Sequence, residues 1–185
     1  MKLSAYKFAI PRFQAYAHGQ LFDFFKDKAI PDYTEHKVIF AASERFILVR
    51  TAHLAKGIPA KEDVVELKHK VKGHVLLASL VQKRFYKDDG TSDQRYVNML
   101  NEPEWFNSHI TNLLEKAGLK NIKYEFVTTP PVYAVQKFKR SAIPTVDVSF
   151  TAEIDNPELL EKAWINGIGR LKTYGFGMLR IEAND

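Results

Sequence analysis

The 185-residue chain contains no cysteine. Disulfide staples, cysteine-ligated zinc, iron–sulfur clusters and thiol catalysis are thereby excluded. No apolar run approaches the roughly 20 residues of a membrane helix. The N-terminal MKLSAYKFAIPRF lacks the apolar core and small-residue cleavage site of a signal peptide. A cytoplasmic location is therefore expected. The sequence also lacks a G-x-S-x-G element, the G-K-[ST] of a P-loop and H-E-x-x-H spacing. Its six histidines (His18, His36, His53, His69, His74, His109) show no metal-ligand spacing. No cofactor or metal is expected.

Acid is also missing from particular stretches. Between Val127 and Phe150 three basic residues (Lys137, Lys139, Arg140) face a single acid, Asp147. Between Ile165 and Ile181 there are three more (Arg170, Lys172, Arg180) and no acid. The acids gather instead at Glu102, Glu104 and Glu115, then Glu153, Asp155, Glu158 and Glu161. Charge sorted this way suits a polyanion such as nucleic acid. The rest of the composition is average for a globular protein, with 45% apolar and 26% charged residues and a net charge of +5.

Along the chain, Lys2–Ile10 alternates as a strand closed by Pro11, with Tyr6, Phe8 and Ile10 on one face. Ala15–Lys26 carries the stripe Ala17, Leu21, Phe24, Phe25 of an amphipathic helix. Val38–Ala42 and Phe46–Thr51 read as a hairpin. Lys61–Leu67, after Pro59, reads as a short helix, and Lys68–Lys72 as a solvated linker. His74–Gln82 is a strand, and Lys83–Asn98 a polar stretch turning at Asp88-Asp89-Gly90. Asn101-x-x-Glu104 has the pattern of a capping box, opening a helix that Gly118 stops. Ile122–Thr128 and Val132–Phe138 read as strands broken by Pro130-Pro131. Val146–Ala152 alternates inward, Asp155-Asn156-Pro157 opens a last helix, and Gly177–Ile181 is a last strand. The expected class is α+β, with two tandem ferredoxin-like (RRM-like) βαββαβ domains and antiparallel sheets. Their bounds fall at residues 1–68 and 73–185.

Chemistry concentrates at two places. Residues 167–177 read GIGRLKTYGFG, two Gly-x-Gly pairs bracketing Arg170, Lys172 and Tyr174. This is no dinucleotide fingerprint, because the third glycine of G-x-G-x-x-G falls on Lys172. It is either a helix stop with a tight turn or a basic loop whose amides approach phosphate. His18 lies in the first turn of the first predicted helix, off its apolar stripe, near Arg12, Tyr16 and Gln20. An imidazole exchanges protons near neutrality, so His18 is a catalytic candidate.

The C-terminal segment resembles the signature of the CRISPR RNA-processing endoribonucleases: Gly-apolar-Gly, five residues, Gly-apolar-Gly, then MLRI. The likeness is strongest to the CasE-like type I-E Cascade subunits of the repeat-associated mysterious protein superfamily. Arg12-Phe-Gln-Ala-Tyr16-Ala-His18-Gly-Gln-Leu21-Phe22 also follows that family's early helix. Tyr16 stands two residues before His18 where the family has three, a turn of about 100° on a helix. Where the family carries an arginine-rich strand, this chain has Val75-Leu-Leu-Ala-Ser-Leu-Val-Gln, then Lys83 and Arg84.

The resemblance implies a metal-independent endoribonuclease that cuts CRISPR repeat RNA 3′ of a stem-loop. Attack by a 2′-hydroxyl would leave a 2′,3′-cyclic phosphate and a 5′-hydroxyl. It implies His18, and Tyr16 if its offset allows, as catalytic residues. Arg12, Lys83, Arg84, Lys137, Lys139, Arg140, Gly169, Arg170, Lys172 and Gly175 would bind RNA. Repeat RNA and other Cascade subunits would be the partners. A non-catalytic RNA-binding or scaffold protein of the same superfamily is the alternative, and a small-molecule enzyme on a ferredoxin-like fold is a third reading.

Overall fold

The computed structural model describes residues 1–13, 17–27, 38–52, 58–136 and 139–182, with side chains except at 26, 27, 134–136, 139 and 140. The first half contains β1 (Lys2–Pro11), α1 (Ala17–Asp27), β2 (Val38–Ala42), β3 (Phe46–Thr51) and β4 (Lys61–Glu66). These four strands form an antiparallel sheet in the order β2-β3-β1-β4. The second half contains β5 (Lys70–Ala78), β6 (Leu80–Tyr86), β7 (Ser92–Asn98), α2 (Pro103–Lys116), β8 (Leu119–Gln136), β9 (Lys139–Ile154), α3 (Pro157–Asn166) and β10 (Arg180–Glu182). Its sheet runs β10-β5-β9-β8, and β6 pairs with β7 as a separate ribbon. Two ferredoxin-like units with antiparallel sheets are therefore present. Among the described residues no helix is long and apolar enough to cross a membrane.

Several local expectations are corrected. Lys61–Glu66 is the fourth strand, not a helix; it pairs antiparallel with β1, Lys2 opposite Glu66 and Ala5 opposite Asp63. The free edge of β1 and the β-branched pair Val64-Val65 override the helix-like charge spacing. The Lys68–Lys72 linker is shorter than expected, since Lys70 already begins β5. The expected strand His74–Gln82 is two strands divided at Ser79, and the polar stretch after it is the β6–β7 ribbon. No capping box forms at α2. Asn101 lies in a 3₁₀ turn (Met99–Asn101), Glu102 is the N-cap, and it makes no side-chain cap bond. Glu102 instead accepts from Lys83 Nζ at 2.9 and 3.0 Å. Pro130-Pro131 does not end β8; the register shifts between Thr129 and Val132 and the strand resumes. Prolines are tolerated there because β8 is an edge strand. Thr145, buried on β9, donates to Pro130 O at 3.0 Å and holds the bulge. The last strand is confined to Arg180–Glu182.

The apolar positions sort into two main cores. In the larger, Phe106, Ile110 and Leu114 of α2 and Leu160 and Trp164 of α3 pack on Val71, Val75, Val146, Val148, Phe150 and Ala152. Asn156 caps α3, accepting from Leu159 N at 3.0 Å. In the smaller, Ala17, Leu21 and Phe25 of α1 pack on Phe8, Ile10, Phe40, Ile47 and Val49. Strand β1 serves both: Leu3 and Ala5 join the larger core, Phe8 and Ile10 the smaller. The switch from odd to even positions places the two pairs on opposite sheet faces.

A buried ion pair within the first sheet holds an arginine that reaches across to the second half. Arg50 on β3 is 5% exposed and donates to Asp63 Oδ2 at 2.9 Å. It also donates to Trp164 O at 3.2 Å and Leu179 O at 2.7 Å, with its guanidinium 4.1 Å from the Trp164 ring centroid. Lys7 adds a bond to Asp63 Oδ1 at 2.8 Å. This clamp fixes the first sheet against α3 and the segment before β10.

Candidate active site and nucleic-acid interface

His18 is the second residue of α1 and is half-buried. Ala17 and Leu21 turn inward and anchor the helix, leaving the imidazole at the margin of the core. Burial pushes its pKa below the ordinary value of 6.5. The shift favours the neutral ring. Gln20 ties the start of α1 to the end of β1: Phe13 N donates to its Oε1 at 3.0 Å, and its amide donates to Pro11 O. Arg12 donates through Nη1 to Ser43 O at 2.6 Å, and its N–H to Arg45 O at 3.0 Å. It thus docks on the β2–β3 turn. Tyr16 lies outside the described residues.

The glycine loop is a closed structure rather than an open cradle. It starts where α3 stops, with Gly167 at φ 70°. Ile168 N donates to Gly177 O at 2.9 Å, and Gly177 N donates to Leu76 O at 2.9 Å. A Cβ on Gly177 would stand 1.9 Å from Ile168 O, at φ +80°, so only glycine fits. Between the two pairs, Lys172–Tyr174 forms a 3₁₀ turn. Phe176 is buried with Ala78 and Ile143, in a cluster that also holds Leu80, Val132, Leu171 and Tyr174. The loop, the root of the ribbon and the root of the β8–β9 arm thus share one apolar knot.

The candidate residues of this loop have different surroundings. Gly175 is buried; its N–H is bonded to Lys172 O, and a Cβ there would meet the Phe40 ring at 3.1 Å. Its visible role is to seat the loop on β2. Gly169 is half-buried beside Leu77 and Leu113. The side chains of Arg170 and Lys172 are exposed. Lys172 Nζ reaches back to Gly167 O at 3.5 Å, a separation long enough to exchange for a phosphate. The Lys172–Tyr174 turn abuts both β2 and α1. Residues about 150 positions apart in sequence, His18 and Lys172, are thereby carried on adjoining elements.

The remaining candidates lie elsewhere. Lys83 is held by Glu102 and sits 5.2 Å from the Trp105 ring centroid. Arg84 is exposed on the ribbon. Lys139 pairs with Gln136 and Arg140 with Val135 near the tip of the β8–β9 arm, while Lys137 and the side chains of Lys139 and Arg140 are outside the described residues. Sequence reasoning passed over His109. It lines a crevice with Gly169 and Arg170, and burial, then the charges of Arg170 and Lys116, hold its pKa low. Its place three residues after Phe106, at the edge of the α2 stripe, was the available signal. Among the described residues, no three His, Asp or Glu side chains converge as metal ligands would.

Residues 66–182, more than half of the chain, match the model of a family described as CRISPR associated protein. No curated protein sequence matches significantly. Among solved structures, the fold is similar to the CRISPR-associated protein Cas6e from Escherichia coli str. K-12. The TM-score is 0.67 at 15% identity, over 98% of this chain and 100% of that one. It is also similar to the CRISPR endoribonuclease Cse3 bound to a 19 nt RNA, with TM-score 0.63 at 15% identity, over 98% of each chain. A chain of a CRISPR RNA-guided surveillance complex matches with TM-score 0.62 at 16% identity, over 97% of this chain and 100% of that one. At these identities the likeness is one of fold, and it runs the length of both chains. The chain belongs to the CRISPR associated protein family, with the two-unit architecture of Cas6e and Cse3.

Proposed function

We propose that the protein is a metal-independent endoribonuclease that cleaves CRISPR repeat RNA 3′ of a stem-loop. The observation that carries this reading is the docking of α1, which bears the half-buried His18, against the basic turn of the glycine loop. The nucleophile is the 2′-hydroxyl of the nucleotide 5′ of the cut. Its oxygen bonds to the adjacent phosphorus as the P–O5′ bond breaks. The products are a 2′,3′-cyclic phosphate and a 5′-hydroxyl, and no water is consumed. Two protons must move: one leaves the 2′-hydroxyl and one reaches the departing 5′-oxygen. His18, whose burial favours the uncharged ring, would enter the cycle as the acceptor of the first. Lys172, on the adjoining turn, would offset charge on the pentacovalent phosphate. Arg170 on the same loop, and Lys137, Lys139 and Arg140 on the arm, would hold the stem through its phosphates, as A-form RNA requires. Membership in a surveillance complex, as for the similar chain, belongs to the same proposal.

The test is direct. The protein, incubated with a stem-loop repeat RNA in excess EDTA, should release a 5′ fragment ending in a cyclic phosphate. Cleavage that needs added magnesium or manganese overturns the mechanism. Tight binding without cleavage would instead mark a scaffold protein.

A further inference from the structure

The β6–β7 ribbon has two unlike faces. Residues directly opposite in the register share a face, so Gln82 with Tyr96, Arg84 with Gln94, and Tyr86 with Ser92 form one side. Lys83 with Arg95, and Phe85 with Asp93, form the other. On the second side the charged groups are paired. Lys83 is bonded to Glu102 of α2, and Arg95 is bonded to Asp93 at 2.9 Å and lies 5.7 Å from the Phe85 ring centroid. Beyond the half-buried Leu80/Asn98 row at its root, the first side is open: the six residues of these three rows are all exposed. Tyr86 is 77% and Tyr96 66% exposed. These three rows hold no carboxylate and no aliphatic side chain. Its internal order comes from Gln82 Nε2, which donates to Gln94 Oε1 at 2.7 Å.

A solvated strand face commonly carries mixed charges and threonines, and two large exposed rings flanking an arginine serve no packing purpose. Along a strand, side chains of one face recur every two residues, about 7 Å apart. The rows Gln82/Tyr96, Arg84/Gln94 and Tyr86/Ser92 therefore offer ring, cation and ring in succession. Rings take unpaired bases by stacking, a guanidinium takes the phosphate between them, and amides reach base edges. The ribbon is rooted beside the β8–β9 arm: Ser79 N donates to Pro144 O at 2.9 Å, and Met99 N donates to Ser79 O at 2.8 Å. Two ribbons thus leave one point, one with a basic tip and one with an aromatic face.

We propose that the Tyr96–Arg84–Tyr86 face of the β6–β7 ribbon binds the unpaired RNA flanking the stem. The inference rests on the repeat-RNA reading above and assigns a second, single-stranded subsite to it. The two are separable by experiment. Equilibrium binding is measured with a stem-loop made uncleavable by a deoxyribose at the cut. It is presented bare, with an unpaired flank of about eight nucleotides on the 5′ side, and with the same flank on the 3′ side. The flank alone is a fourth probe. Stacking of one base strengthens binding roughly 5- to 150-fold.

Wild type should gain at least about fivefold from one of the two flanks. The Y86A/Y96A variant should lose that gain and bind the bare stem-loop as wild type does. Y86F/Y96F, which keeps the rings, should retain it. Arg84→Gln should lower the salt slope of flank binding by about 0.7. The proposal is overturned if neither flank adds affinity, or if Y86A/Y96A keeps the gain. A protein partner on this face would give the latter result. If the bare stem-loop does not bind wild type, the repeat-RNA reading fails, while flank binding lost in Y86A/Y96A would still uphold the ribbon subsite.

Discussion

Asp63→Ala tests the buried ion pair that holds Arg50, the residue reaching from the first half to the second. The substitution leaves Arg50, 5% exposed, without its carboxylate partner. Removing one partner of a buried pair costs about 3–5 kcal/mol. Arg50 keeps the carbonyls of Trp164 and Leu179, so the low end applies, about 3 kcal/mol. Loss of the half-exposed Lys7 bond adds less than about 1 kcal/mol. For a chain of this size the fall in Tm is about 6–12 °C. Urea unfolding followed by circular dichroism at pH 7 gives the free energy directly. Arg50→Met combined with Asp63→Leu should restore most of it, because two apolar groups replace the pair without stranding a charge. The pH dependence has a defined sign. Burial pushes the Asp63 carboxyl up, but hydrogen bonds from Lys7 and Arg50 outweigh it and hold the pKa below the ordinary value. Its stabilisation is therefore full above about pH 4 and is lost as pH falls through the folded-state pKa. The gap between wild type and Asp63→Ala should narrow below pH 4. A loss under about 1 kcal/mol at pH 7, or a gap unchanged in acid, would refute the clamp.

His18→Ala should slow cleavage about 100-fold or more with RNA affinity nearly unchanged, because a proton-transfer group acts mainly in the transition state; a wild-type rate removes His18 from the mechanism. Because burial holds the His18 pKa below 6.5, the acid limb of the cleavage rate should be centred below that pH; a limb centred above 7 contradicts the neutral acceptor. Gly177→Ala forces a Cβ to within 1.9 Å of a carbonyl oxygen and should unfold the loop, whereas Gly169→Ala, also at positive φ, meets only the side chains of Leu77 at 3.2 Å and Leu113 at 3.8 Å. Thermal melts should rank the first far below the second. Neutralising Lys137, Lys139 and Arg140 together should flatten the salt dependence of stem-loop binding by roughly 0.7–0.9 for each phosphate no longer neutralised; an unchanged slope places the stem elsewhere.

The elements legible in sequence were those whose burial is one-sided. Val146, Val148, Phe150 and Ala152 alternate inward on β9 as the pattern requires. The α1 and α3 helices begin within two residues of their expected starts. Strand β4 was hidden because its inward residue is Asp63, a charge whose partners Lys7 and Arg50 are supplied by other strands. The ribbon was hidden because its outer face is polar and aromatic, so no apolar alternation marks it. The glycine motif was visible, but not its use: packing against Phe40 and Ala42 places Gly175 on an element more than 130 residues earlier. His18 stands out by residue type and motif; the contact of its helix with the basic turn follows only from the docking of the two halves.

The central claim is that the nucleophile belongs to the substrate and that His18 moves its proton. A stem-loop repeat RNA carrying one deoxyribose at the nucleotide 5′ of the cut removes that nucleophile and changes nothing else. The account predicts that this RNA binds as tightly as the all-ribose form and is not cleaved, with or without EDTA. Cleavage of the deoxy-substituted RNA at the wild-type rate would contradict it.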